Sequence, residues 1–233
     1  MPATATEVQA AVGAGGGALD VNAACAGFVY ALLAAYGMVG LGAQRVLVIG
    51  ADAMSRITDP DDRSTAILFG DGAGAVVLDA TPAGPGAPGG TRPGLLASDT
   101  GCDGTLAHLL HAELGGSIVM EGRGGFRQGG RATGEAARRA LEAAVLAAAA
   151  VAAFVPPRAN RRIIDAVADR LGISPARTVS VLDETGNTSA ASIPLGLAAA
   201  EADGRLRPGA VVLLSGFGAG MSWATAVLRW GSA

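Results

Sequence analysis

The chain has no lysine: all 17 of its basic residues are arginine. That absence excludes a Schiff-base enzyme, a pyridoxal phosphate anchor and a Walker-type phosphate loop, each of which needs a lysine amine. Two cysteines, Cys25 and Cys102, and two histidines, His108 and His111, give neither a disulfide framework nor the ligand spacing of a metal site, so no metal is expected. Charged residues make up only 16% and aromatics 4%, and the net charge of −3 argues against nucleic acid as a partner. No apolar run reaches the roughly 18 residues of a membrane span, and no signal-peptide pattern opens the chain. The expectation is a cytoplasmic protein with no membrane partner. What is abundant is apolar: half of the 233 residues are hydrophobic and the mean hydropathy is +0.41, which suits a largely buried α/β interior or an oligomer.

Apolar periodicity sorts the chain into alternating helices and strands. Residues 7–12 read as the end of a short helix and 18–21 as a strand. A helix is expected over 26–41, with Phe28, Leu32, Leu33, Tyr36 and Val39 at helical spacing, buried all round and closed by Gly40 and Gly42. Strands follow at 45–50, buried on both faces, and at 66–69 and 75–78, joined by a glycine corner at 70–74. The Gly/Pro-rich stretch 81–94 is a surface loop. Structure resumes at 95–98 and gives way to a loop through His111 and Gly116. Helices at 122–150 and 161–171, short strands at 152–155 and 178–182, a small-residue helix opening at 185–192, and strands at 210–214 and 223–228 complete the pattern, which predicts a largely parallel sheet with an antiparallel pair where the glycine corners sit.

Cys25 lies in a run of small residues, 20–28, that leads directly into an apolar helical pattern. A thiol at a helix N-terminus is stabilised as thiolate by unpaired N–H groups and the helix dipole, so its pKa is expected below the ordinary value of about 8.5. A small buried hydrophobe is the competing reading of the same cysteine. An internal repeat bears on the choice. Helix start, apolar helix, glycine exit, buried strand and glycine corner run from Cys25 through Gly50 to Gly74, and again from Ser189 through Gly216 to Gly220. Two similar halves would place Cys25 and the 187–189 turn equivalently about a pseudo-two-fold axis. Asn187 is also a good helix N-cap, and Arg63 alone reads as a loop ion-pair partner.

The runs Asn22-Ala23-Ala24-Cys25-Ala26-Gly27-Phe28, Asp59-Pro60-Asp61-Asp62-Arg63, Phe69-Gly70-Asp71-Gly72-Ala73-Gly74, Gly186-Asn187-Thr188-Ser189-Ala190-Ala191-Ser192 and Gly216-Phe217-Gly218-Ala219-Gly220 together resemble 3-oxoacyl-[acyl-carrier-protein] synthase III. The resemblance implies a thiolase-like α/β fold of two related halves, 1–115 and 116–233, with mixed five-stranded-type sheets around buried helices, the first half incomplete. It implies an acyltransferase of fatty acid or polyketide synthesis that condenses acyl-CoA with malonyl-acyl carrier protein. No permanently bound cofactor is expected, acyl-CoA being a substrate, and the protein is expected to be a homodimer. Cys25 would be the nucleophile, and Asn187 would bind the malonyl thioester carbonyl. The backbone N–H groups of Cys25 and Ala219 would form the oxyanion hole. Arg63 would hold CoA phosphate, and Gly122, Phe126, Ala159 and Asn160 would line the pantetheine tunnel.

Two departures from that family set further expectations. Where the family has its catalytic histidine after a Val-Pro pair, this chain reads Val155-Pro156-Pro157. Proline offers no side-chain donor, so condensation should be slowed by about 100 to 1,000-fold while acyl loading on Cys25 persists. His108 and His111 are expected to be exposed loop residues and no substitute. The family also carries about 80 to 90 residues ahead of the segment at which this sequence starts, and without them the first half would expose a sheet edge and apolar faces. The alternatives to condensation are acyl transfer from CoA to another acceptor, or a non-catalytic fragment.

Overall fold

The computed structural model describes residues 2–80, 93–156 and 161–231, with the backbone alone over 122–128. Its elements run α1 (Thr4–Ala11), α2 (Gly27–Gly40), β1 (Arg45–Ala53), β2 (Asp71–Asp79), β3 (Gly94–Cys102), β4 (Leu110–Ala112), β5 (Ile118–Met120), α3 (Gly122–Ala143), β6 (Val151–Val155), α4 (Arg161–Leu171), α5 (Leu182–Thr185), α6 (Ser192–Ala202), β7 (Val211–Gly218) and β8 (Ser222–Arg229). Short 3-10 turns at Ala24–Ala26 and Ser189–Ala191 lead directly into α2 and α6.

The elements stack in layers. The four-stranded sheet β3-β8-β7-β6 is mixed: β6 and β7 run parallel, while β3, β8 and β7 pair antiparallel. The amphipathic helices α3 and α4 cover its outer face through Ala137, Ala140, Leu141, Val167 and Ala168 against Phe154 and Leu213. Its inner face meets α2 and α6, whose Phe28, Leu32, Ile193 and Leu197 share one core with Val155, Leu214 and Ala226. On the far side of those two helices lies β1-β2, an antiparallel pair in register from Arg45–Asp79 to Ala53–Asp71. The expected five-stranded sheets are thus a four-stranded and a two-stranded sheet among the described residues, plus the small β4-β5 pair. β3 comes from before residue 116 and joins the sheet of the second half.

Strand β1 is not buried on both faces. Its residues alternate, and Leu47 (44% exposed) and Ile49 (40%) stand opposite Val77 (57%) and Ala75 on a bare apolar face. Helices cover the outer face of the larger sheet, whereas none of the described helices covers this one. Helix α2 likewise exposes Ala34 and Gly37 while burying Phe28, Val29, Leu32 and Ala35.

Several local expectations give way for identifiable reasons. Residues 18–21 carry no strand, and 66–68 are turns that follow a loop in which Asp62 accepts hydrogen bonds from the Ser64 N–H and the Thr65 hydroxyl, with Phe69 making a single bridge to Asn187. Residues 71–74 are strand, not a corner. Their glycines admit α6 and the turn before it at close range, since a Cβ on Gly72 would stand 2.9 Å from Thr188 Cγ2 and one on Gly74 2.9 Å from Pro194 Cβ. Thr178 makes a single bridge to Phe154 in place of a strand over 178–182. The segment through His111 contains the β4-β5 hairpin, with His111 half-buried opposite Val119. Helix α3 stops at Ala143 although no glycine follows. Val145 adopts φ +56° and the bonds Val145 N–H to Glu142 O (3.0 Å) and Leu146 N–H to Leu141 O (3.0 Å) close a Schellman motif. Gly42, at φ +108°, closes α2 by the same pair of bonds.

Candidate active site

The internal repeat has a clear register in three dimensions. Ala24 (φ +46°) and Ser189 (φ +51°) are both left-handed, an uncommon conformation for residues with a Cβ. Each is held by the asparagine two residues before it: Asn22 Oδ1 accepts the Ala24 N–H at 3.3 Å, and Asn187 Oδ1 accepts the Ser189 N–H at 3.0 Å. The counterpart of Cys25 is therefore Ala190, and that of Asn22 is Asn187.

At these turns a strand of each half packs against the turn of the other. Gly50 in β1 lies so close to the second turn that a Cβ there would be 2.6 Å from Ala190 O, and a Cβ on Gly216 in β7 would be 3.0 Å from Cys25 O. Two residues further along each strand the symmetry breaks. Asp52 Oδ2 accepts the Ala190 N–H at 2.9 Å. Its counterpart is Gly218, where a Cβ would stand only 2.7 Å from Cys25 N and 2.7 Å from Ala23 O. One turn has its N–H covered by a carboxylate. The other has no side chain beside its nitrogen, so no carboxylate covers it.

Ala219, the other expected oxyanion donor, begins the turn after β7. Ser222 fastens that turn to the cysteine segment, its hydroxyl donating to Ala219 O (3.2 Å) and reaching Ala23 O (3.5 Å). Asn187 is anchored through its backbone, its N–H donating to Leu68 O (2.8 Å) and its O accepting from Gly70 N–H (3.1 Å). With its side-chain oxygen engaged by Ser189, the Asn187 amide nitrogen is the group left to donate to a substrate carbonyl. The N-cap reading of Asn187 and its catalytic reading are thus compatible.

The expected low thiol pKa is not what this environment gives. Burial pushes the Cys25 thiol up, the Ser189 hydroxyl pulls it down, and the Asp52 charge adds to the rise. Cys25 sits in the 3-10 turn ahead of α2, and desolvation outweighs the N–H groups there. Asp52 is itself half-buried, and burial raises its carboxyl above the ordinary value against the N–H groups of Ala190 and Ala191 and the Ser189 hydroxyl. Asp52 has no motif of its own in the sequence, and Ser189 is marked there only as the start of the second repeat.

The other expected residues divide three ways. Arg63 is exposed in the loop before β2. Gly122 and Phe126 lie in the first turns of α3. Pro157, Ala159 and Asn160 fall outside the described residues. His108 is exposed, its Nδ1 within 3.1 Å of Thr105 O.

Two sheets enclosing paired helices, a cysteine at the start of one and an asparagine at the start of its twin define an acyl-transferring enzyme of the thiolase-like class. Residues 19–104 match the family model for 3-oxoacyl-[acyl-carrier-protein] synthase III, and residues 141–230 match the model for its C-terminal part. The chain belongs to the 3-oxoacyl-[acyl-carrier-protein] synthase III family. It is 45% identical over 238 residues to the beta-ketoacyl-[acyl-carrier-protein] synthase III of Rhodospirillum rubrum, an alignment covering 98% of this chain and 72% of that protein. The crystal structure of 3-oxoacyl-(acyl carrier protein) synthase III from Pseudomonas aeruginosa superposes with a TM-score of 0.91 at 42% identity, over 99% of this chain and 73% of that one. The enzyme from Thermus thermophilus gives 0.92 at 42% identity, over 100% and 74%.

Proposed function

We propose that the chain takes an acyl group from acyl-CoA onto Cys25 as a thioester and passes it to malonyl-acyl carrier protein by decarboxylative condensation. The observation that supports this reading is the close approach of Gly218 to the Cys25 turn, where a side chain would stand 2.7 Å from the Cys25 nitrogen. Cys25 Sγ attacks the acyl-CoA carbonyl, and the oxyanion is held by the N–H groups of Cys25 and Ala219 until the CoA thiolate departs. Malonyl thioester then binds with its carbonyl oxygen toward the Asn187 amide. Loss of carbon dioxide leaves an enolate whose carbon attacks the acyl group, and the Cys25 thiolate is expelled.

Arg63 would hold CoA phosphate, with Gly122, Phe126, Ala159 and Asn160 along the pantetheine arm. A cytoplasmic homodimer is the assembly this reading carries with it. Pro157 stands where the family has a histidine, so the condensation step lacks one donor and is slowed about 100 to 1,000-fold relative to the same step with that donor. That substitution also favours a second reading, acyl transfer from Cys25 to an acceptor that needs no decarboxylation. Incubation with acetyl-CoA and malonyl-acyl carrier protein separates the two. A 3-oxoacyl product supports condensation, and acetylated enzyme alone supports simple transfer.

A further inference from the structure

The two turns differ in what becomes of their N–H groups. In the second turn every N–H over 187–191 has an acceptor within 3.2 Å, and for Ala190 that acceptor is Asp52 Oδ2 at 2.9 Å. In the first turn Ala24 donates to Asn22 Oδ1 and Ala26 to Ala23 O, while no other described residue accepts the N–H of Cys25. One turn keeps a donor open, and the other is closed by Asp52. Strand β1 brings the carboxylate there because Gly50, two residues earlier on the same face, has no side chain to strike Ala190 O, which a Cβ would approach to 2.6 Å. Asp52 is half-buried and makes no ion pair among the described residues. A carboxylate so placed costs stability, and the N–H it meets belongs to the turn that presents Asn187.

We propose that Asp52 is a positioning residue for Asn187: by accepting the Ala190 N–H it holds the second turn in the one conformation that aims the Asn187 amide at the malonyl thioester carbonyl. The turn needs such a hold. Ser189 is left-handed although it carries a Cβ, and its N–H occupies the Asn187 side-chain oxygen, so backbone and amide move together. If the turn relaxes, the amide nitrogen leaves its place. Asp52 reaches no substrate atom in this account, and what it supplies is an oxygen. A carboxylate suits the role because both of its oxygens accept, whereas an amide serves in only one of its two orientations.

The assignment rests on the condensation reading, and it is tested in the full chain with Asp52→Asn, which keeps an acceptor, and with Asp52→Ala and Asp52→Ser, which do not reach the Ala190 N–H. Circular dichroism melts show which variants fold, and either of the last two suffices. Two rates are measured: acetyl loading on Cys25 by intact mass, and carbon dioxide release from carboxyl-labelled malonyl-acyl carrier protein by the acetylated protein. Release should fall about 100-fold in Asp52→Ala and Asp52→Ser and by about fivefold or less in Asp52→Asn. Loading should fall in none of the three, since removing the Asp52 charge relieves the Cys25 thiolate. Hydrogen exchange over 187–191 should quicken in the Ala and Ser variants and not in Asn. Release in Asp52→Ala equal to that in Asp52→Asn overturns the proposal, and so does a matching fall in loading, which would make Asp52 a support of the whole site. Unchanged exchange in Asp52→Ala overturns it as well. A parent that is acetylated but releases no carbon dioxide would remove the condensation reading, while the exchange comparison still decides whether Asp52 holds the turn.

Discussion

Gly218 and Cys25 are in such close apposition that a single methyl group on Gly218 would lie 2.7 Å from the Cys25 nitrogen. The atoms it meets are backbone, Cys25 N, Ala26 N and Ala23 O, and cannot rotate aside. Gly218→Ala should therefore abolish acylation of Cys25 and destabilise the fold by about 1 to 3 kcal/mol. Intact mass after exposure to acetyl-CoA and a urea melt check the two halves of that statement. Full acylation in a stable variant would contradict the need for a bare residue beside the Cys25 nitrogen.

Asn187 should separate the two half-reactions. Asn187→Ala removes the acceptor for the Ser189 N–H, at a cost of about 1 kcal/mol, and with it the amide proposed to meet the malonyl carbonyl. Acyl loading should fall only modestly while product formation from malonyl-acyl carrier protein is lost. Equal losses in both steps would mean that Asn187 serves only to hold the turn.

Asp52 carries a signature in the pH dependence of stability. Its folded-state pKa is raised by burial, so the native state holds that proton more tightly than the unfolded chain. The stability this contributes is fully present below the unfolded carboxylate value of about 3.9 and is lost as pH rises through the folded value. Asp52→Asn should lack that loss and melt at a higher temperature than the parent at pH 7. The exposed carboxylates with lowered values, Asp62, Asp71, Glu135 and Asp203, act in the opposite sense. They cancel when parent and variant are compared at each pH. A variant no more stable at pH 7 would contradict the cost assigned to the buried carboxylate.

Val145 offers a gain unrelated to function. It is 89% exposed and holds a β-branched side chain in the left-handed position of the α3 cap, where Gly42 serves α2. Val145→Gly should stabilise by about 1 kcal/mol, read as a shift in the urea midpoint. The bare face of β1-β2 should behave differently. Thr at Leu47 and Val77 should change stability by no more than about 0.5 kcal/mol while reducing self-association in light scattering, because those side chains touch solvent.

The sequence was most legible where period and punctuation agree. Helix α4 was expected over 161–171, the span it occupies, because Ile163, Ile164, Val167 and Leu171 leave one phase open, and Gly42 marked the end of α2. The repeat was legible as an order of motifs but not in its register, since the left-handed pair Ala24 and Ser189 has no compositional mark. Glycines misled at 71–74, where they mark the close approach of α6 and not a bend. Burial misled on β1, whose apolar run resembles a two-sided strand although one of its faces is bare. At the site, the cysteine and asparagine turns were readable from their motifs. The direction of the Cys25 pKa was not, because it depends on Asp52 and on burial set by the other half of the chain.

The most direct test is the intact mass of the folded full chain after incubation with acetyl-CoA, beside a Cys25→Ala control. The account predicts a single acetyl adduct, mapped by peptide digestion to Cys25 and absent from the control. An unmodified mass in folded protein, or an adduct that persists in Cys25→Ala, would contradict it.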